Sequence, residues 1–328
     1  MTPDRFLMSL RIGRWQWPWA ILGTAATLAL IIAFGLAAEP IETGLAALYS
    51  RESPGTDLIP GRIDTFAGFL LFAISISLPP ALVAWAVHGL DPRQLLGPNG
   101  HFDWPQLAKA ALAMLSVMLL AAAIGLVREP QNYAWLGRGL PHLPWLLIAI
   151  PLILYQSFAE EYLFKGYLVR VWGAVLPIRS VIVLVIAALF TSAHAINDDV
   201  AQDLVFNLVF FFAAELLTLF VYLRTQSLAA VTGLHWINNV WAMCLVPTEP
   251  GQSTALALAA YTDPVLSAGR SRLTDPGSYL EMGSALALLL VLLVWKRSPF
   301  YLPPHLPTEP PTAPEPDGPS EVRTPEQG

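Results

Sequence analysis

The chain has 328 residues, of which 55% are hydrophobic and 13% charged, with a formal net charge of −6. A soluble domain carries about 25% charged residues, so the composition excludes an ordinary soluble enzyme and points to an integral membrane protein. No basic patch offers itself to nucleic acid. The single cysteine, Cys244, rules out an intrachain disulfide framework and a cysteine-rich metal site.

A helix needs about 20 mostly apolar residues to cross a bilayer. Eight segments have that character, at roughly 19–38, 65–87, 106–127, 143–171, 180–197, 204–223, 227–246 and 278–296. The first follows Arg5, Arg11 and Arg14. At about 20 residues it is longer than the roughly 7–15 of a signal-peptide core, so it reads as a retained helix, although Leu36-Ala37-Ala38 imitates a cleavage site. The fourth is too long for one simple crossing and contains Pro151 and a charged stretch; it is expected to tilt, kink or leave the membrane near Lys165. A short acidic loop, Asn197 to Asp203, joins the fifth and sixth, with Asp198 and Asp199 expected in solvent. A tight turn at Arg224 to Gln226 joins the sixth and seventh. These three helices should be antiparallel neighbours. In the long loop 247–277, Ser253 to Tyr261 reads as a short interfacial helix.

The final 30 residues hold ten prolines and read as a disordered tail, 299–328. The expected organisation is a cytoplasmic segment at 1–18, a transmembrane bundle at 19–298 and that tail. The fold class is all-α, a polytopic helical bundle of about eight transmembrane helices. With the N-terminus inside, the inner segments carry 11 Lys/Arg and the outer loops 6, which places both termini in the cytoplasm. Trp15, Trp17, Trp104, Trp145, Trp172 and Trp295 fall near span ends, as an interfacial aromatic belt would. The predominance of Leu, Ala and Pro suits a bacterial inner membrane.

An ionisable group at membrane depth is a functional hypothesis by default, because a charge in hydrocarbon costs several kcal/mol. The fourth segment carries Glu160 and Glu161, the fifth His194, and the seventh His235 and Asn239. At a rise of about 1.5 Å per residue, Glu160 lies about 16 Å in, His194 about 22 Å, His235 about 14 Å and Asn239 about 20 Å. Polar groups from three helices therefore share one layer. His235 and Asn239 are four apart and share a helix face, as do Phe190 and His194, and Glu161 precedes Lys165 in the favourable order for an ion pair. Adjacent glutamates point about 100° apart, which leaves Glu160 free for a different task. Each group also has a plainer reading. The glutamates could form a structural ion pair with Lys165, His194 could end a helix at the interface, and His235 with Asn239 could be interhelical glue. Glu215, at about 14 Å, could support the site, but a packed or protonated structural carboxyl is the expected reading. Asn207 and Gln156 are expected to make helix–helix contacts.

The stretch Glu160-Glu161-Tyr162-Leu163-Phe164-Lys165 resembles the EExxxR motif of the CPBP family, which includes the CAAX prenyl endopeptidases and bacteriocin-processing proteins. Phe190 to His194 resembles its FxxxH motif, and His235 to Asn239 its HxxxN motif. The resemblance covers about 143–246. It implies an intramembrane endopeptidase in which Glu160 is the general base and His194 positions and activates water, while His235 and Asn239 donate to the developing oxyanion. Glu161, Lys165 and Phe190 would be supporting residues, and the partner a protein or peptide substrate in or at the membrane. One departure stands out: Lys165 replaces the arginine of the motif and lacks its bidentate fork. The glutamate mechanism needs no metal, although two histidines and a glutamate can in principle ligate zinc. HExxH is absent, as are a GxSG serine motif and paired aspartates in helices four to seven. A non-catalytic membrane scaffold or immunity protein is the alternative class. A proton-coupled transporter is a third, and it would show repeat symmetry, which this chain lacks.

Overall fold

The computed structural model describes residues 16–52, 60–176, 178–249 and 256–304. Its elements are helical because hydrocarbon offers no partner to an open N–H or C=O, and a helix satisfies both within the segment. The long helices are α1 (Trp17–Glu52), α2 (Pro60–Ala86), α3 (Trp104–Arg128), α4 (Leu143–Glu161), α8 (Leu204–Thr225) and α11 (Pro276–Val294). Between them lie α5 (Val169–Val175), α6 (Arg179–His194), the short α7 (Asp198–Ala201), α9 (Leu228–Val240) and the short α10 (Pro264–Ser267).

Every one of the eight expected apolar segments is helical. Among the described residues six helices, counting α4 and its continuation as one, are long and apolar enough to cross a membrane. The other two are shorter: α6 has 16 residues, and α9 has 13 before a π-helical turn, Trp241–Leu245. The shortness of α9 reflects its neighbours. Leu228 to Leu234 are all buried, so α9 is surrounded by protein over that stretch and need not match the lipid. On the periphery, Leu112, Leu119, Leu120 and Ile124 of α3 and Leu204, Val205, Val209 and Phe220 of α8 face outward. This outward apolar surface is what an integral membrane protein presents to lipid.

α9 packs most extensively against α3. Gly233 makes this possible, because a Cβ there would collide with the Leu107 carbonyl oxygen. Ala229 and Ala230 flank it, facing a helix that contributes Ala110, Ala111 and Ala113. Small residues let backbones approach, and dispersion and close packing then replace the missing hydrophobic drive between membrane helices.

The helix begun by α4 does not end near Lys165. It runs through a π-helical turn, Tyr162–Leu168, into α5, giving one continuous 33-residue rod, Leu143–Val175. Lys165 is fully buried. The turn is braced by a 3₁₀ segment, Pro92–Leu96, capped by Asp91, whose carboxylate accepts from the Arg93 N–H at 2.9 Å. The Tyr162 hydroxyl donates to the Pro92 carbonyl at 3.0 Å, and the Arg170 guanidinium donates to the Gln94 carbonyl. Gly166 admits the segment, since a Cβ there would sit 3.1 Å from the Leu95 carbonyl oxygen.

The expected helix at Ser253 to Tyr261 is corrected by the structure where it is described. Ala259–Thr262 is a strand, β3, between β1 (Tyr133–Trp135) and β2 (Thr248–Glu249). β1 and β3 are antiparallel, with Tyr133 opposite Tyr261, and β2 and β3 are parallel. The pairing supplies partners to backbone groups that a short isolated helix would leave half open. Residues 253–255 lie outside the described residues, as do Trp15 and the tail from 305, and nothing is described of the Asp198 and Asp199 side chains.

α8 and α9 meet at the expected tight turn. Gln226 closes it with φ +54°, a left-handed position where glycine is usual. Ser227 then caps α9, its hydroxyl accepting from the Ala230 N–H at 3.3 Å. The loop between β3 and α11 is pinned to the start of α8: Asp203 accepts from the Ser271 hydroxyl at 2.6 Å and the Arg272 N–H at 2.7 Å. The Arg272 guanidinium also donates to Asn207 at 2.9 Å and lies 4.8 Å from the Phe206 ring centre. Asn207 thus makes the kind of inter-element contact expected of it.

Candidate active site

Three elements bring the polar side chains together: α4 with its π turn, the end of α6, and the middle of α9. Glu160 and Glu161 end the regular part of α4 and are both buried. Their neighbours differ, as expected of adjacent helix positions. Glu161 faces a lysine and a histidine: its Oε2 is 2.7 Å from Lys165 Nζ, and its Oε1 is 2.9 Å from His235 Nδ1. Glu160 faces two histidines: its Oε2 is 3.5 Å from His235 Nε2 and 3.8 Å from His194 Nε2.

Hydrogen-bond logic fixes the proton on Nδ1 of each imidazole. His194 Nδ1 lies 2.8 Å from the Phe190 carbonyl oxygen, which can only accept, so Nδ1 carries the proton, and in the neutral ring Nε2 is an acceptor. The Glu161 carboxylate imposes the same assignment on His235. With both rings neutral, Glu160 Oε2 and the two Nε2 atoms are three acceptors turned toward one another. Among the described residues no donor reaches Glu160 Oε2.

The other Glu160 oxygen is held. Gln156, one turn earlier on α4, donates its amide to Glu160 Oε1. Gln156 Oε1 accepts from Asn239 Nδ2 at 3.0 Å. Asn239 therefore reaches Glu160 through Gln156, and one of its two amide protons is spent on that bond. Gln156 does make the expected helix–helix contact, but the contact lies in the site itself. Sequence reasoning missed this, and the usable signal was its i, i+4 relation to Glu160 on the same helix face.

Aromatic rings wall the cluster. The Phe190 ring centre is 4.5 Å from that of His194, 6.0 Å from that of His235 and 5.2 Å from Lys165 Nζ. Phe211 of α8 stacks on His194 at 4.7 Å, a contact with no signal in the sequence beyond an aromatic run. Glu215, expected to be a packed carboxyl, is buried and places Oε2 at 2.7 Å from Lys165 Nζ. It is joined to the cluster through that lysine. No three His, Cys, Asp or Glu side chains among the described residues group so as to hold a metal ion.

An apolar helical bundle with carboxylates and imidazoles gathered in its interior defines the class: an integral membrane protein with a buried polar site. Residues 142–241, which hold all three motifs, match the family model described as type II CAAX prenyl endopeptidase Rce1-like. The resemblance read from the motifs is shown over that segment, and the family is a peptidase family. A Bacillus subtilis (strain 168) protein, the uncharacterized protein YyaK, is 24% identical over 158 residues, which are 48% of this chain and 52% of that protein. The chain thus spans about half the length of the curated relative it matches. No solved structure matches it.

Proposed function

We propose that this protein is an intramembrane endopeptidase in which Glu160 activates water for attack on a peptide carbonyl. One observation carries the reading: Glu160 Oε2 faces the acceptor nitrogens of His194 and His235 at 3.8 and 3.5 Å, with no donor of its own among the described residues. Such a meeting of lone pairs is electrostatically poor until a molecule with protons to give enters it, and water is the smallest that does.

In this mechanism the water donates one proton toward Glu160 Oε2 and the other toward His194 Nε2. Glu160 removes its proton as the oxygen bonds to the carbonyl carbon. The negative charge moves to the carbonyl oxygen and is met by the second amide proton of Asn239. His235 joins as a donor when it is protonated, its Nδ1 proton already committed to Glu161. The C–N bond then breaks, and the Glu160 carboxyl returns the proton to the departing amine. General-base help of this kind is worth about 10²–10⁴ in rate, and an oxyanion donor about 3–4 kcal/mol. The substrate is a membrane-associated protein or peptide, reached at the depth of α4 and α9. The Lys/Arg distribution supports both termini in the cytoplasm, and the predominance of Leu, Ala and Pro suits a bacterial inner membrane.

The test compares cells expressing wild type and Glu160→Gln at equal level, with protein N-termini mapped by mass spectrometry. Glu160→Gln should cut the formation of the relevant termini by at least about 100-fold. Indistinguishable sets of N-termini would sink the proposal.

A further inference from the structure

The lysine that replaces the motif's arginine is buried, and its environment differs from that of a surface ion pair. Lys165 Nζ sits 2.7 Å from Glu161 Oε2 and 2.7 Å from Glu215 Oε2, all three side chains at most 2% exposed. Glu161 precedes Lys165 by one helical turn, whereas Glu215 comes from α8, 50 residues away. Thr218, three residues on from Glu215, donates to the same Oε2 at 2.7 Å and fixes where it points. The other face of the ammonium meets the Phe190 ring at 5.2 Å.

An ammonium has three N–H donors spread around one atom, while a guanidinium presents a planar fork that grips one carboxylate through two parallel bonds. A lone Lys165–Glu161 contact would leave the ammonium free to swing about a single bond in a site where water is scarce. A second carboxylate removes that freedom. With Glu215 on one side and Glu161 on the other, Lys165 Nζ has one place to be, and Glu161 keeps Oε1 turned to His235. From His235, Nε2 points at Glu160 Oε2, 3.5 Å away. A single line of contacts thus runs from α8 to the reacting carboxylate.

We infer that Glu215 is a positioning residue of this site, sharing the Lys165 ammonium with Glu161 so that lysine does what an arginine fork would do alone. This rests on the peptidase reading above, and it assigns Glu215 no contact with substrate. Removing the charge at 215 should loosen His235, and restoring a fork at 165 should make Glu215 dispensable. A carboxylate that only packed α8 against α4 would show no such rescue by arginine.

The experiment uses the full chain in native membranes, at equal amounts and with an unaltered monodisperse peak on size-exclusion chromatography. N-termini that depend on Glu160 should form about tenfold more slowly in Glu215→Gln, the usual scale for a group that orients a catalytic histidine, and recover to within about twofold of wild type in Lys165→Arg/Glu215→Gln. An unchanged rate in Glu215→Gln, or a loss that arginine leaves in place, overturns the inference. Should Glu215→Gln fail to accumulate, Glu215→Asp, which keeps the charge at shorter reach, is compared with Glu215→Asp/Lys165→Arg on the same criteria. A second readout separates this idea from the peptidase reading. In ¹⁵N-histidine-labelled protein in nanodiscs, wild-type His235 should show one tautomer with the proton on Nδ1, and Glu215→Gln should mix that signal. If no terminus depends on Glu160, the peptidase reading fails by itself. The nanodisc spectrum then decides, and an unmoved His235 signal overturns the positioning role.

Discussion

Gln156 sits between the two groups that matter most for the proposed chemistry. Its amide N–H holds Glu160 Oε1 and its carbonyl oxygen accepts from Asn239 at 3.0 Å, so one neutral side chain aims a carboxylate from α4 and an amide from α9. Gln156→Leu keeps the volume roughly constant and removes both bonds. A buried donor left unmet costs about 1–3 kcal/mol, so the variant should melt several degrees lower in detergent, and its yield of Glu160-dependent N-termini should fall at least about tenfold. Equal yield would show that Glu160 needs no such aim. At this scale the sequence was informative where a residue type was improbable: glutamates, a lysine and histidines inside apolar runs announce themselves by what they cost. Gln156 and Phe211 were underread for the opposite reason. A glutamine or a phenylalanine in such a run is ordinary, and its meaning lies in a partner from another helix, such as Asn239, 83 residues away.

Among the elements, α9 carries His235 only two residues after the Gly233 crossing with α3, so the depth and rotation of this histidine depend on a close backbone approach. Gly233→Ala drives a methyl group into the Leu107 carbonyl. Overpacking of that sort costs about 1–3 kcal/mol, and the shift should reach His235 and Asn239 together. Thermal unfolding in detergent and N-terminal yield should therefore fall in parallel, and a variant stable but inactive, or inactive only by loss of protein, would separate the two effects. Helix positions were legible because apolar length is a strong signal. The shortness of α9, the π turn after Glu161 and the strand at Ala259–Thr262 were not. The first depends on what surrounds the helix, the second inserts no distinctive residue, and the third is decided by Tyr133–Trp135 offering an edge far away in the chain.

Across the whole molecule, the loop before α11 is tied to the start of α8 through Asp203, Ser271 and Arg272. Asp203→Ala strands the Arg272 N–H and the Ser271 hydroxyl, a loss of about 1–3 kcal/mol. In nanodiscs, trypsin should then cut at Arg270 and Arg272 several-fold faster than in wild type, and an unchanged rate would mean that Asn207 and Phe206 suffice to hold the loop. The overall class was legible from composition, because 13% charged residues in a chain of this length leave little alternative to lipid. The lateral order of the helices was legible only where short connections join the sixth helix to the fifth and seventh, since lipid-facing and protein-facing apolar residues look alike. The ion triplet of Lys165, Glu161 and Glu215 has a consequence for biosynthesis. Glu161 and Lys165 leave the ribosome almost together and can enter the translocon as a self-neutralised pair on one helix. Glu215 emerges 50 residues later, roughly 3–10 s at ordinary elongation rates. α8 thus carries an unmatched carboxylate into a bilayer where the Glu161–Lys165 pair is already in place, and Glu215 meets its cation only when these two helices dock.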